Sequence, residues 1–333
     1  MKVFKRKYHF KEVDKMERPN NQFCADAGGK YCPCHLAHSG DCIKCSLIRG
    51  EKTCECKWQG VCIYNELMHN KIVPVEERKD LLCKVIESKE IEKNIYFLKI
   101  KIPSYLTRNL SEPGAYVFLK DKDRESGFFN APISVMDLDE ENNILEVVVV
   151  PRGIKTKPLV NCEEIIVKAP YFNGIFGLKE IKSNACNKCV VVLDGLSQVN
   201  SLKVIKRLIR NNNEVEVFIN EKGKRIEVME EKIADLGVNI QLFNLEDKKE
   251  ILINYIRNNN ISFVYSCGLI YFNKSILQLV DSINDSIKFA IPNNNLICCG
   301  EGICGACTIR LNNCRIKTCK AQMNGREFLN NLK

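Results

Sequence analysis

Cys189-Val190-Val191-Val192-Leu193-Asp194 is a short, unbroken apolar run that ends on a turn signal, the pattern of a parallel strand buried on both faces. The residues after it extend that reading. Val199 to Arg210 carries Val199, Leu202, Val204, Ile205, Leu208 and Ile209 at helical spacing. Strand-like runs follow at Val215–Asn220, Val238–Phe243 and Ile261–Ser266, interleaved with helical ones at Arg225–Leu236, Lys248–Arg257 and Lys274–Ile283. Strand and helix in alternation predict a doubly wound parallel α/β sheet. Upstream, Ile95–Ile102, Leu145–Val150 and Ile165–Lys168 are β-rich runs divided by turn signals, which predicts an antiparallel β-barrel. Residues 1–70 are polar, cysteine-dense and without period. The expected organisation is a cysteine-rich metal segment over 1–72, a barrel over 78–182, an α/β domain over 185–290 and a cysteine-bearing tail over 291–333.

That tail reads Cys299-Gly-Glu-Gly-Ile-Cys304-Gly-Ala-Cys307, with Cys319 eleven residues further on. C-x4-C-x2-C plus a distant fourth cysteine is the plant-type spacing for a [2Fe–2S] cluster. Two irons need four thiolates in a small volume, so the loop must turn sharply and lie close to the sulfurs. Gly300, Gly302 and Gly305 permit that. Zinc sites favour C-x2-C pairs held apart by a longer spacer, so the spacing selects the cluster. Cys298 and Cys314 are spare thiols nearby.

Composition bounds the class. With 333 residues, 45% of them apolar and 27% charged, the chain is long enough for two or three ordinary globular domains. Its longest apolar runs, such as Ile144–Val150 broken by Glu146, fall far short of a membrane span. The opening MKVFKRKYHFKEVDKMER has no apolar core and is not a secretory signal. Nineteen cysteines without such a signal point to metal binding in a reducing, cytoplasmic setting rather than to disulfides. The formal charge of +9 is scattered among acidic residues, which argues against a nucleic-acid stripe.

Barrel, parallel sheet and cysteine loop in this order resemble the ferredoxin–NADP reductase superfamily. More narrowly, the chain resembles electron-transfer subunits of bacterial dihydroorotate dehydrogenase and clostridial sulfide/dihydroorotate dehydrogenase-like FAD/NAD-binding proteins. The resemblance covers about residues 80–325. It implies that Pro132, Ile133 and Ser134 hold FAD within Asn130-Ala131-Pro132-Ile133-Ser134, where Ala131 stands at the family's arginine and Arg152 or Lys155 compensates. It implies a pyrophosphate turn at Gly153-Ile-Lys155-Thr156 and a barrel-closing segment Ala169-Pro170-Tyr171-Phe172-Asn173-Gly174, with Asn173 and Gly174 at the flavin. For NAD(P)H it implies Gly195 and, near the nicotinamide, Cys267-Gly268. The family's glycine-rich turn is reduced here to Asp194-Gly195-Leu196-Ser197, so the α/β domain either keeps NAD(P)H binding or is a structural remnant.

Cys24, Cys32, Cys34, Cys42, Cys45, Cys54, Cys56 and Cys62 are enough for two four-ligand sites, and this segment has too little apolar content to fold without them. Neither ferredoxin nor zinc-finger spacing is matched, so iron–sulfur and structural zinc both stand. His35 and His38 read as exposed loop residues, and Cys186-Asn-Lys-Cys189 as incidental thiols. The expected function is an FAD- and [2Fe–2S]-dependent oxidoreductase subunit working with a catalytic oxidoreductase partner or a ferredoxin-like carrier, without catalytic acid, base or nucleophile. The alternative is an iron–sulfur scaffold that does not oxidise NAD(P)H.

Overall fold

The computed structural model describes residues 23–56, 58–69, 77–123, 130–311 and 314–332, the Cys314 side chain excepted. The charged opening Met1–Arg18 and the spare Cys314 thiol lie outside the described residues. No helix among the described residues is long and apolar enough to cross a membrane.

The short strand β1 (Phe23–Cys24) comes first. Six strands then form the barrel: β2 (Asp80–Glu92), β3 (Ile95–Lys101), β4 (Tyr116–Asp121), β5 (Ala131–Asp139), β6 (Ile144–Val149) and β7 (Glu164–Tyr171). They close in the order β2-β3-β6-β5-β4-β7, and every pairing is antiparallel. Alternation explains the closure. Leu98 and Ile100 on β3, Val117 and Leu119 on β4, Leu145, Val147 and Val149 on β6, and Ile165 and Val167 on β7 all point into one apolar core.

The second sheet holds β8 (Ile175–Phe176), β9 (Lys188–Leu193), β10 (Glu214–Asn220), β11 (Asn239–Phe243), β12 (Phe263–Cys267) and β13 (Lys288–Pro292). Their order is β11-β10-β9-β12-β13-β8, parallel except for the antiparallel edge strand β8. Helices Leu202–Arg210 and Glu227–Ala234 pack on one face; Lys249–Asn258 and Ile270–Ile283 pack on the other. Strand order reverses between β9 and β12, and the crevice beyond their carboxyl ends is where open α/β sheets bind ligands. The helix read from Val199 begins as an α-helix only at Leu202, because Gly195–Asn200 form a 3-10 turn.

A hairpin of β14 (Thr308–Leu311) and β15 (Cys314–Lys317) follows the cysteine loop, and β16 (Ala321–Gln322) leads to helix Gly325–Asn331. The N-terminal strand β1 pairs antiparallel with β16, so the first and last parts of the described chain meet.

Candidate functional site

The cysteine loop lies on an aromatic platform at one end of the barrel. Tyr116 and Phe118 on β4 and Tyr171 at the end of β7 pack with Ile297, Cys307 and Cys319. Tyr116 and Tyr171 stack with centroids 5.2 Å apart, and Phe118 meets Tyr171 edge-on at 4.8 Å. Gly300, Gly302 and Gly305 all have φ near +70°. A Cβ on Gly300 would stand 2.6 Å from the Tyr171 ring and 2.8 Å from that of Phe118. The loop can lie this close only because glycine stands there.

The loop thiols fall into two pairs. The sulfurs of Cys307 and Cys319 are 3.1 Å apart, and their hydrogen bond holds Cys307 down at about 6. Burial opposes ionisation of Cys304, but the Ala306 N–H and the Cys299 thiol prevail and hold it below its ordinary value. Cys299 accepts the Glu301 N–H at 3.3 Å. Thiolates are the ligating form, and two thiolates per iron is what a two-iron cluster requires. The donor set and the glycine cradle therefore fit a [2Fe–2S] cluster, and the buried Tyr116 hydroxyl, which has no hydrogen-bond partner, lies by Cys319. Among the described residues no three His, Cys, Asp or Glu side chains stand close enough to close on a single ion.

Four charges that the sequence did not single out surround this loop. Arg78 Nη2 donates to Asp26 at 2.7 Å and its Nη1 to Glu301 at 3.0 Å. Lys320 Nζ donates to Glu301 at 2.8 Å and also to Asp26. The Arg78, Asp26 and Lys320 side chains are almost fully buried. Burial opposes charge on Arg78 and Lys320, yet the two carboxylates hold both pKa values above the ordinary range. The available signal was adjacency: Glu301 lies inside the cysteine loop, Lys320 follows Cys319, and Asp26 is two residues past Cys24.

The residues expected to hold FAD divide. Pro132 is exposed on β5, Ile133 and Ser134 are half-buried, and the three pair with Phe118, Val117 and Tyr116 beside the aromatic platform. The Gly153–Thr156 turn is open: a Cβ on Gly153 would meet nothing within 4 Å, and its N–H donates to Thr156 Oγ1 at 3.2 Å. Lys155 of that turn lies within electrostatic reach of Cys298, which ties the turn to the cysteine loop. Asn173 and Gly174 are drawn into contacts within the chain. Asn173 is fully buried and donates to the carbonyls of Thr318 (2.6 Å) and Ala321 (2.8 Å), so its side chain clamps the cysteine tail to the barrel. A Cβ on Gly174 would stand 2.7 Å from the Gly114 carbonyl oxygen.

The residues expected at the nicotinamide nucleotide meet at the switch point but are internally engaged. Cys267 is buried, donates to the Ser197 carbonyl at 2.8 Å, and is raised to about 12, chiefly by burial. Asn273 binds both the N–H and the carbonyl of Gly268. Gly195 is open on its Cα side, but Asp194 accepts from Asn220 at 2.7 Å and Gln198 donates to the Lys224 carbonyl at 2.8 Å. The loop around Gly223 therefore lies against the turn.

Of the N-terminal thiols, Cys24, Cys32, Cys34 and Cys42 line one pocket. Cys54 and Cys56 stand with sulfurs 3.7 Å apart, Cys45 is buried, and Cys62 is exposed. His35 and His38 are exposed. Cys186 is exposed and Cys189 buried, so that pair makes no joint site.

No protein-family model matches the chain. Among curated proteins, the electron transfer subunit of dihydroorotate dehydrogenase B (NAD(+)) from Bacillus cereus (strain B4264) is 27% identical over 234 residues, 68% of this chain and 87% of that protein. The chain is thus similar to dihydroorotate dehydrogenase B electron transfer subunits. The subunit from Bacillus anthracis (strain CDC 684 / NRRL 3495) is 26% identical with the same coverage. Among solved structures, the NADH-dependent reduced ferredoxin–NADP oxidoreductase studied for flavin-based electron bifurcation superposes with TM-score 0.59 at 16% identity, covering 76% of this chain and 93% of that one. The barrel and parallel sheet are thus the ferredoxin–NADP reductase-like fold, as the sequence led us to expect.

Proposed function

We propose that this chain is an iron–sulfur flavoprotein electron-transfer subunit that passes electrons between NAD(P)H, FAD and a [2Fe–2S] cluster, to or from a partner oxidoreductase subunit. The observation that carries this reading is the paired thiol loop on the barrel's aromatic platform, beside the exposed Pro132 on β5 and the open Gly153 turn. Pro132, Ile133 and Ser134 would flank the flavin, and Gly153, Lys155 and Thr156 its phosphates. Cys299 with Cys304, and Cys307 with Cys319, would hold the cluster. FAD supplies the exchange between a two-electron hydride and single electrons. The chain's own groups position and tune: Arg78 and Lys320 hold Glu301 of the cysteine loop in place, and the apolar platform excludes water. The relatives are named as subunits, which supports a hetero-oligomer with a catalytic partner. The abundance of free thiols supports a cytoplasmic setting.

The turn after β9 favours a second reading for the α/β domain. Asp194 and the Gly223 loop crowd the site where a pyrophosphate would sit, which supports an electron relay that takes no hydride from NAD(P)H and is charged by its partner. The test is an anaerobic visible spectrum of purified protein before and after NADH, with flavin and iron quantified. Flavin and cluster bands that bleach establish the first reading, and bands that NADH leaves untouched establish the second. Absence of flavin and of iron would overturn both. Cys304→Ser is expected to remove the [2Fe–2S] signal while FAD stays bound; a surviving signal would mean the ligand set is wrong.

A further inference from the structure

We propose that Cys24, Cys32, Cys34 and Cys42 hold a second, [4Fe–4S] cluster, and that the contact of β1 with β16 is the electron path between it and the C-terminal cysteine loop. The inference rests on the reading of that loop as a [2Fe–2S] site.

The four thiols, from strand β1, the Cys32–Cys34 segment and Cys42, line one pocket together with Ala27, Leu36, Ala37, Ile43 and Ile63 and the charged Asp26 and Lys44. The small core of this segment is Ala37, Cys42, Cys45 and Ile63, half of it cysteine. Such a core holds together through metal rather than through apolar burial. A mononuclear zinc with bonds of about 2.3 Å draws its sulfurs to one point, about 3.8 Å from each other. These four line a single pocket, and four thiolates are the ligand count of a [4Fe–4S] cluster. A cubane gives each of its four thiolates its own iron, whereas the C-terminal loop pairs Cys307 with Cys319 at 3.1 Å.

Placement argues for redox work rather than for a structural ion. Cys24 lies opposite Ala321 in the β1–β16 register, and Ala25 N–H donates to the Lys320 carbonyl at 2.8 Å. One hydrogen bond therefore joins the residue after Cys24 to the residue after Cys319. A second contact runs through Leu36, which lines the thiol pocket and packs on Gly302 of the loop. Asp26, bound to both Arg78 and Lys320, fixes this junction in a buried, water-poor setting. A structural zinc needs no such proximity to a redox ligand.

The step along this path is a one-electron transfer. One iron(II) at the C-terminal loop becomes iron(III) as one iron(III) among the N-terminal thiolates becomes iron(II). No proton moves and no ligand bond changes, and the electrons come from reduced nicotinamide or a reduced partner. Cys45, Cys54, Cys56 and Cys62 are outside this site.

The test uses the full chain purified anaerobically, with iron, acid-labile sulfide and zinc counted and Mössbauer and electron paramagnetic resonance spectra taken after dithionite reduction. The expected result is about six irons per chain, two plus four, and two distinct cluster signals. Cys34→Ser is expected to remove the cubane signal and about four irons while the [2Fe–2S] signal and FAD persist. One zinc per chain with iron near two, or iron near two with no other metal, overturns the proposal. Those counts come from the unaltered protein, so a variant that fails to fold leaves the test intact. Survival of the cubane signal in Cys34→Ser also overturns it. Cys304→Ser separates the two readings: a [2Fe–2S] signal that survives it refutes the assignment of the C-terminal loop, whatever the N-terminal count.

Discussion

Arg78 Nη2 and Asp26 Oδ1 are 2.7 Å apart, with both side chains buried, and they lie where the N-terminal segment meets the barrel. Arg78 also bonds the Pro170 carbonyl at 2.5 Å and lies over the rings of Tyr31 and Tyr171. Its charge is therefore shared among two carboxylates, a carbonyl and two aromatic faces from three parts of the chain. Removing one partner of a buried pair leaves the other charge uncompensated, at about 3–5 kcal/mol. Arg78→Met is expected to lower unfolding free energy by about that amount. Denaturant titration of the anaerobic protein checks it; a loss under about 1 kcal/mol, the range of surface pairs, would show that the network is not structural.

Gly300→Ala should separate the cluster from the fold. The left-handed backbone at φ +69° costs a non-glycine residue roughly 1–2 kcal/mol. The added methyl would press on the buried rings of Tyr171 and Phe118, and such overpacking adds about 1–3 kcal/mol. The strain falls on the loop, so iron content should drop well before far-ultraviolet circular dichroism changes. Full iron occupancy in Gly300→Ala would contradict the close approach.

Much of this was legible because it is local. Apolar periodicity in 189–283 marks strands β9 to β12 and their helices to within a few residues, since each buries a face against its sequence neighbours. The spacing from Cys299 to Cys307 is likewise local chemistry. What stayed hidden depends on distant parts of the chain. The Asp26–Lys320 contact spans 294 positions, and no pattern at either residue announces the other. Asn173 is a further case. Its amide is taken up by carbonyls 145 and 148 residues away, which no local pattern announces. The 3-10 turn at Gly195 was also illegible, because the Gly223 loop that lies against it is set by the neighbouring strand β10.

Lys203 gives the stability a pH dependence of predictable sign. It is buried where helix Leu202–Arg210 meets the barrel, and donates to the carbonyls of Leu110 (3.0 Å) and Ala115 (3.4 Å). Burial lowers it to about 7, against the pull of Asp137 and Glu112. Above that value the folded state holds the neutral amine, while the unfolded chain keeps its proton up to about pH 10.4. The unfolded state then binds more protons, so this group makes stability rise with pH from about 7, by at most about 1.4 kcal/mol per unit. Buried thiols such as Cys189 act in the opposite sense once free cysteine ionises near pH 8.5. The comparison therefore belongs between pH 7 and 8.5: wild type should gain stability relative to Lys203→Met across that window, and parallel curves would refute the assignment.

Asp194 decides how the α/β domain is used. Its carboxylate accepts from Asn220 at 2.7 Å, and a Cβ on Gly223 would stand 2.6 Å from the same oxygen. A pyrophosphate at this switch point would bring negative charge against a carboxylate; two unit charges 4 Å apart interact by about 4 kcal/mol at an effective dielectric of 20. Asp194→Asn keeps a hydrogen-bond acceptor for Asn220 and removes the charge. If the nucleotide docks at this turn, the variant should bind NADH at least about tenfold more tightly, a gain of about 1.4 kcal/mol. Anaerobic titration of flavin absorbance with NADH reads the change directly. An unchanged midpoint would mean that the nucleotide docks away from Asp194, whereas a flavin that NADH leaves oxidised in both proteins but dithionite reduces would make the relay charged by its partner the function of this chain.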